Sequence, residues 1–175
     1  MAMEKERMNM FEFLPLNIDI YRDVITEFRI DSFVVSFGHA RMLTEGSGIE
    51  DYLKILRSRS DLLPGSCVHV FHGPKIVGQI ESRVKETADQ RKEGYVNLYY
   101  LIPEYRNLGF GYHLDEYITR FYAHHGLSNV SLNVSQTNLR AIKFYEKMGY
   151  SIIEKVDKSG EKIHVMSKDI SNQLI

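Results

Sequence analysis

The sequence predicts a single α/β domain built around a mixed β-sheet. Its 175 residues fit one domain and are enough to bury a substantial core. The periodic segments follow the order two helices, three strands, helix, strand, helix and two strands, so hairpins occur beside a strand–helix–strand crossover. Hairpins give antiparallel pairs and a crossover gives a parallel pair, which together predict a mixed sheet. No repeat, Pro-rich linker or long charge block divides the chain, so we expect one domain over residues 1–175, with a flexible N-terminus at residues 1–10.

The first third of the chain predicts two helices. Apolar residues recur at helical spacing in two segments, at Ile18, Tyr21, Val24, Ile25 and Phe28 and again at Ile49, Tyr52, Leu53 and Leu56. Residues 38–48 lie between these segments, are rich in Gly, Ser and Thr, and predict a mobile loop.

The middle of the chain changes to the period of β-strands. Residues 68–72 and 75–84 flank the turn Gly73-Pro74 and predict a hairpin. Residues 87–93 are polar and predict a loop. Residues 95–102 predict a third strand that ends at Pro103, because proline has no N–H to donate to a ladder.

The remaining segments predict two helices and three strands. The stripe that predicts the first helix consists of Phe110, Leu114, Tyr117, Ile118 and Phe121, with Gly126 as its stop. Residues 130–134 predict a short strand, after which Asn138 can cap a helix that Gly149 ends. Residues 152–156 and 162–167 flank Asp157-Lys158-Ser159-Gly160 and predict a final hairpin.

The composition excludes several classes of partner. The formal net charge of −1 provides no global field toward nucleic acid or an anionic membrane. The single cysteine, Cys67, cannot form an intrachain disulfide, which indicates a reducing compartment. The sequence contains no run of 18 apolar residues, so it predicts no membrane-spanning helix and we expect a cytoplasmic protein. His124 and His125 are adjacent in a helix and face different directions, so they make a poor metal-binding pair and we expect no metal. The sequence leaves open whether the protein forms a homodimer.

Residues 98–112, which read LYYLIPEYRNLGFGY, indicate an anion site. Gly109 and Gly111 lack a Cβ and let the backbone approach a ligand closely. The first turn of the following helix leaves amide donors unpaired, and its dipole adds partial positive charge. Together these features predict a pyrophosphate cradle; a helix start packed closely on a strand is the alternative. The pattern is not a Rossmann fingerprint, because Leu114 replaces the third glycine, and it is not a Walker A loop.

A second segment, residues 138–150 with the sequence NLRAIKFYEKMGY, completes a resemblance to the GNAT acetyltransferases. Arg106 to Gly111 resembles the family loop Q/R-x-x-G-x-G/A. The positions that match the family stretch N-x-x-A-x-x-F-Y-x-x-x-G-F/Y are Asn138, Ala141, Phe144, Tyr145, Gly149 and Tyr150. The resemblance implies a twisted, mixed sheet of about six to seven strands flanked by about four helices.

The resemblance also implies an acetyl-CoA site. The strands ending near Ile102 and Val134 would splay apart, and the pantetheine arm would pair with backbone groups near Leu101, Ile102 and Pro103. The turn formed by Arg106, Asn107, Leu108, Gly109, Phe110 and Gly111 would hold the pyrophosphate, with the Arg106 charge in support. An amide near Tyr100 or Leu101 would polarise the acetyl carbonyl. Asn138, Ala141, Phe144 and Tyr145 would line the cofactor arm, although Asn138 could equally cap its helix.

Two residues are candidates for proton transfer to and from the reacting groups. Tyr145 resembles the family's general acid, because a phenol with a pKa of about 10 can protonate a departing thiolate; a core tyrosine with a bonded hydroxyl is the alternative. The residues 95–102 contain no acid, so Glu81 is the candidate base, although a solvated strand carboxylate is the more common reading of such a residue.

We therefore expect an N-acetyltransferase that moves an acetyl group from acetyl-CoA to a primary amine by direct attack in a ternary complex. The acceptor stays open among polyamines, amino sugars, other small amines, peptide N-termini and protein lysines, and residues 33–52 would form one wall of its site. The alternatives are a non-catalytic acyl-CoA-binding module of the same fold and an enzyme that uses a longer acyl donor.

Overall fold

The computed structural model describes residues 11–174 of the chain. Within them lie seven strands, five α-helices and two short 3-10 helices. The strands are β1 (Phe11–Pro15), β2 (Cys67–His72), β3 (Lys75–Glu86), β4 (Lys92–Leu101), β5 (Asn129–Ser135), β6 (Ser151–Lys158) and β7 (Glu161–Asp169). The helices are α1 (Arg22–Phe37), α2 (Arg41–Thr44), α3 (Gly48–Leu62), α4 (Gly111–His124) and α5 (Leu139–Lys147), with 3-10 turns at Pro103–Tyr105 and Ser171–Leu174.

The predicted α/β class and mixed sheet are confirmed, but two elements differ from the sequence prediction. The first third, assigned to helices alone, contains β1, which pairs antiparallel with β2 from Phe11 opposite His72 to Pro15 opposite Val68. Residues 38–48, predicted as a loop, contain the short helix α2, whose Leu43 is buried. The N-terminus predicted to be flexible, residues 1–10, lies outside the described residues.

The seven strands form one sheet in the order β1-β2-β3-β4-β5-β7-β6. Neighbouring strands are antiparallel except β4 and β5, which the crossover through α4 makes parallel. The predicted turns are present: His72 pairs with Lys75 across Gly73-Pro74, and Lys158 pairs with Glu161 across Ser159-Gly160. Ser159 and Gly160 both have positive φ, at 54° and 85°, as the tight turn that suits the twist of a hairpin requires.

A bulge in β4 decides which side chains reach each face of the sheet. Leu98 lies opposite Glu81 of β3 and Val96 lies opposite Ser82, so Asn97 is an extra residue in β4. One face is covered by α1 and α3, where Tyr52 reaches Glu81, and we call it the α1/α3 face. The other is covered by α4, where Tyr122 reaches Ser82, and we call it the α4/α5 face.

The core consists of two buried apolar clusters. Ile25 of α1, Leu56 of α3 and Cys67 of β2 belong to a cluster on the α1/α3 face, and Cys67 is a free, buried thiol. Tyr122 of α4 packs so closely on Gly94 of β4 that a Cβ there would lie 2.4 Å from the ring. No helix among residues 11–174 is long and apolar enough to cross a membrane.

Candidate active site

An opening lies between the carboxyl-terminal halves of β4 and β5. Their parallel ladder has three residue pairs and ends with Val96 opposite Leu132. Beyond this pair β4 continues to Leu101 and β5 to Ser135, without pairing to each other in the described chain. The two strands therefore splay at the place where the sequence predicted a gap for the pantetheine arm.

The loop that follows β4 presents a row of unpaired amides. The backbone N–H groups of five consecutive residues, Asn107 to Gly111, donate to no acceptor within residues 11–174. Asn107 and Gly109 have positive φ, at 62° and 82°, and residues 107–109 are exposed. Alternating backbone conformations of this kind, followed at once by a helix N-terminus, make a concave donor site for an anion. This local geometry fits a pyrophosphate.

The two glycines of the loop have different functions. Gly109 adopts a left-handed conformation that an L side chain would strain, and a Cβ there would meet no other atom. At Gly111 a Cβ would lie 2.8 Å from the ring of Phe144. The missing side chain of Gly111 therefore makes room for α5 to pack on α4, and the expectation that Gly111 lets the backbone approach a ligand stays a prediction.

The guanidinium of Arg106 is already engaged. Its Nε donates to Leu101 O at 2.7 Å, its Nη2 donates to Asp31 of α1 at 2.6 Å, and it stacks over the ring of Tyr100. Burial by itself would raise the pKa of Asp31, but the hydrogen bonds from Arg106 and Tyr100 outweigh it and leave that pKa lowered. A phosphate contact of the Arg106 charge therefore requires exchange with Asp31, and it stays a prediction.

The backbone groups expected near the pantetheine arm are partly paired within the protein. Ile102 N donates to Val77 O at 2.9 Å, and Pro103 O accepts from Arg106 N at 3.1 Å. With Leu101 O accepting from Arg106, all three of these groups have partners. The pairing of a cofactor along Leu101 to Pro103 stays a prediction.

Helix α5 places three of the motif residues beside the opening. Asn138 accepts from Ala141 N at 3.1 Å, so the structure shows it as a helix cap. Phe144 packs on Gly111 of the cofactor loop. Tyr145 packs against Tyr99 of β4, with ring centroids 6.3 Å apart.

The hydroxyl of Tyr145 makes no hydrogen bond to the described residues, unlike the satisfied hydroxyl of a core tyrosine. Burial, together with the charge of Asp115, raises the pKa of the Tyr145 phenol. A phenol whose pKa is raised stays protonated at neutral pH, which is the form that a proton donor needs. This geometry is compatible with the predicted acid role, which remains a prediction.

A buried carboxylate on α4, which the sequence did not indicate, supports the rings around Tyr145. Asp115 accepts hydrogen bonds from Tyr150 at 3.0 Å and Tyr99 at 3.3 Å, and pairs with Lys168 of β7 at 2.5 Å. Tyr99 and Tyr150 are two of the rings in contact with Tyr145. The available signal was a charged residue inside the apolar stripe of α4, directly after Leu114.

Glu81 is fully buried, which corrects the expectation of a solvated strand carboxylate. Its Oε1 accepts from Tyr52 at 2.5 Å and from Gln79 at 2.8 Å. Its Oε2 has no hydrogen-bond partner and lies 3.9 Å from the guanidinium of Arg29. Because Arg29 also donates to Asn97 O at the bulge, this network connects Glu81 to the edge of the opening.

No group of three or more His, Cys, Asp or Glu side chains in residues 11–174 is placed to hold a metal ion. His124, the last residue of α4, and His125, which follows it, each bond a backbone carbonyl one turn earlier, at Arg120 and Phe121. His69 of β2 is buried and accepts from Asn17 N at 3.3 Å.

Comparison with known proteins identifies the family to which the chain belongs. A model of the acetyltransferase (GNAT) family matches residues 23–150, and the chain belongs to this family. Over 106 residues it is 30% identical to the probable N-acetyltransferase san of Drosophila melanogaster, a match that covers 57% of each chain. The match thus spans little more than half the length of that relative.

Two solved structures share the fold. The crystal structure of the NatC complex bound to Gag peptide and CoA matches with a TM-score of 0.70 and 17% identity, covering 91% of this chain and 98% of that one. Naa50 of Arabidopsis thaliana, in complex with the bisubstrate analogue CoA-Ac-MVNAL, matches with a TM-score of 0.66 and 16% identity, covering 90% and 97%.

Proposed function

We propose that this protein transfers an acetyl group from acetyl-CoA to a primary amine by direct attack within a ternary complex. The observation that carries the proposal is the row of five unpaired amides, Asn107 to Gly111, at the mouth of the β4–β5 opening. Such a donor row at a helix N-terminus suits a pyrophosphate without requiring a basic protein. Acetyl-CoA supplies the activated thioester, and the residues of the chain supply its binding, its orientation and the movement of protons.

Tyr145 is the proposed proton donor. Its free hydroxyl lies on α5 beside Tyr99, at the edge of the opening. Direct attack by an amine on the thioester expels a thiolate, which must gain a proton. A positioned phenol that stays neutral at physiological pH can donate it, with a contribution of about 10²–10⁴-fold to the rate.

The proton that leaves the amine is proposed to travel through ordered water and not directly to a carboxylate. Residues 95–102 contain no acid, and Glu81 already binds Tyr52 and Gln79 through one oxygen. The buried polar atoms without hydrogen-bond partners in residues 11–174 include Arg29 Nε, Gln79 Oε1, Glu81 Oε2, Arg83 Nε and Asn97 Oδ1. Buried polar atoms of this kind are commonly satisfied by water, which offers a route for a proton.

The second candidate is a non-catalytic acyl-CoA-binding module. The observation that favours it is the enclosure of Glu81, the candidate base, whose carboxylate is fully buried and already bonded to Tyr52. It would bind acetyl-CoA at the same amides without turnover.

A screen of amine acceptors with acetyl-CoA, followed by thiol release, separates the two candidates. The panel contains spermidine, an amino sugar, lysine and the peptide MVNAL, whose sequence occurs in the analogue bound to Naa50. We expect acceptor-dependent thiol release that is saturable in both substrates. Calorimetric binding of acetyl-CoA without release on any acceptor would support the module instead. A cytoplasmic location stays a prediction from composition, and this assay does not depend on it.

A further inference from the structure

Four basic side chains gather on the α1/α3 face of β3 and β4. Arg83 and Lys85 of β3 both lie over the ring of Tyr95, at 4.8 Å and 5.0 Å from its centroid. Arg59 of α3 lies near this part of β3, because its carbonyl accepts from Ser66 at 3.5 Å and Ser66 O accepts from Ser82, the neighbour of Arg83, at 2.6 Å. Arg29 of α1 lies 3.9 Å from Glu81 on the same strand. Burial raises the pKa of Tyr95, and the charges of Arg83, Arg59 and Arg29 counteract that rise. We call Arg29, Arg59, Arg83 and Lys85 the basic cluster.

The basic cluster lacks the acidic partners that would balance it. Lys85 pairs with Glu93 at 3.4 Å, and Arg29 lies 3.9 Å from Glu81. The guanidinium groups of Arg59 and Arg83 form no ion pair or hydrogen bond with residues 11–174. Four cations therefore face two carboxylates, in a region that is only partly open to water.

The excess of cations in the basic cluster has a free-energy cost. Arg83 Nε and Arg29 Nε are buried donors with no acceptor. Burial lowers the pKa of Arg59, the nearby carboxylate of Glu81 counteracts this, and the charges of Arg83 and Arg29 lower it further. Unpaired, partly desolvated guanidinium groups cost free energy, and a bound anion would recover it. A surface salt-bridge network would instead place acids at these positions.

The position of the basic cluster relates it to the acceptor and not to the phosphates of the cofactor. The unpaired amides belong to the N-terminus of α4, on the opposite face of the sheet. Arg29 donates to Asn97 O at 3.2 Å, at the bulge where β4 begins to leave β5. The cluster thus reaches the β4–β5 opening from the side that α1 and α3 cover.

We propose that the amine acceptor carries a carboxylate or phosphate group, which Arg59 and Arg83 bind beside the ring of Tyr95 while the amine reaches the opening at Asn97. This inference rests on the proposed function, since it names the acceptor class of that same reaction. Guanidinium groups suit both anions, because their planar donors match carboxylate and phosphate oxygens in pairs.

The test compares acceptors that differ in the anion alone. One pair is ethanolamine and phosphoethanolamine, and a second is 1,4-diaminobutane and ornithine. We expect kcat/KM to be at least about tenfold higher for the anionic member of one or both pairs. In Arg59→Gln and Arg83→Gln this preference should fall to about twofold or less, whereas Arg120→Gln on α4, which removes an exposed arginine, should retain it. If the arginine substitutions reduce the preference for the anionic acceptor in one pair alone, that pair identifies whether phosphate or carboxylate is recognised.

A second measurement keeps the inference separate from the proposed function. If no acceptor turns over, thermal shift of the CoA-saturated protein is recorded with phosphoethanolamine and ornithine, and with their neutral counterparts. Stabilisation by an anionic amine that disappears in Arg83→Gln supports the site even when catalysis fails. Equal or stronger response to the neutral amines, in turnover and in thermal shift, overturns it. The unliganded Arg59→Gln and Arg83→Gln proteins should melt no lower than the parent, because a charge without a partner is removed; a clearly lower melting temperature in both would indicate a structural role instead.

Discussion

Arg106 and Asp31 form an ion pair between the cofactor loop and α1, with Nη2 of Arg106 2.6 Å from Oδ2 of Asp31. The same carboxylate accepts the hydroxyl of Tyr100 at 2.8 Å, and Tyr100 stacks on Phe28 of α1. The residue that family resemblance assigns to the phosphates is thus attached to the helix whose last residues begin the predicted acceptor wall. The two halves of the site are connected through this pair.

Replacement of Asp31 by Asn should raise the affinity for acetyl-CoA a fewfold. If the phosphates attract Arg106, Asp31 competes with them, and binding is weakened by the free energy of breaking the pair. That free energy is at most about 1 kcal/mol for a partly exposed pair. Calorimetry measures the affinity, and Asn retains an acceptor for Tyr100. Unchanged affinity in both Asp31→Asn and Arg106→Gln would show that Arg106 has no phosphate contact.

Replacement of Asn107 by Asp should weaken acetyl-CoA binding by about fivefold or more. The new charge would stand among the unpaired amides, and a repulsion of about 1 kcal/mol is expected for unit charges about 4 Å apart in water. Aspartate tolerates the φ of 62° at this position, so the fold should be kept. Asn107→Gly, which adds no charge, is the matched control. Added salt should reduce the difference in acetyl-CoA affinity between Asn107→Asp and Asn107→Gly. Equal affinity of the two variants would contradict the assignment of the unpaired amides to the pyrophosphate.

Replacement of Tyr145 by Phe should slow turnover by about 10²-fold or more while cofactor affinity stays nearly the same. The ring contacts with Tyr99 and Tyr150 remain in this variant, and only the free hydroxyl is lost. The control is Tyr117→Phe on α4, which removes a hydroxyl that donates to Gly65 O and should leave kcat unchanged. An unaltered kcat in Tyr145→Phe would show that a group other than Tyr145 is the general acid.

Replacement of Glu81 by Gln should reduce kcat by less than about threefold, roughly 0.7 kcal/mol. It should nevertheless lower stability by about 1–3 kcal/mol, because Arg29 loses its nearest carboxylate and the bonds from Tyr52 and Gln79 must rearrange. Denaturant unfolding and steady-state kinetics separate the two effects. A large loss of kcat with a shifted alkaline limb would make Glu81 the general base.

His69 should make the fold less stable in mild acid. Burial lowers the pKa of His69 from about 6.5 to about 4, so between these values the unfolded chain binds a proton that the folded chain does not. Stability is then lost as the pH falls, by about 2 kcal/mol between pH 7 and pH 5. Denaturant unfolding should show a smaller loss over this range in His69→Gln, whereas the exposed His124→Gln should behave like the parent. An identical pH dependence in His69→Gln would assign the acid sensitivity to other groups.

The parts of the molecule that the sequence predicted are those specified by local pattern. The turn and helix start at Arg106 to Gly111 are a contiguous segment, and its donor row follows from backbone chemistry alone. Strand β1 was not predicted, because its five residues are too few to show a period and its pairing with β2 joins positions more than fifty residues apart. The pair Arg106–Asp31 spans 75 residues and depends on how α1 lies on the sheet.

The burial of Glu81 likewise depends on distant parts of the chain, so the local sequence pattern could not predict it. Alternation along β3 assigns Glu81 to one side of the strand, but it does not indicate that Tyr52 and Arg29 enclose that side. A period of two distinguishes the sides of a strand and says nothing about which helix covers them. The basic cluster was unpredicted for this reason as well.

Strand β7 is the last of the seven strands to be synthesised, yet the order of the sheet places it between β5 and β6. Until β7 leaves the ribosome, β5 has a neighbour on the side of β4 alone, through a ladder of three residue pairs. By then β2, β3 and β4 can pair through short connections as each is completed, and β1 can pair with β2 across the helical segment between them. The nascent chain therefore builds one wall of the opening early and secures the other only at the end, so a competent pocket forms after nearly the whole described chain has emerged.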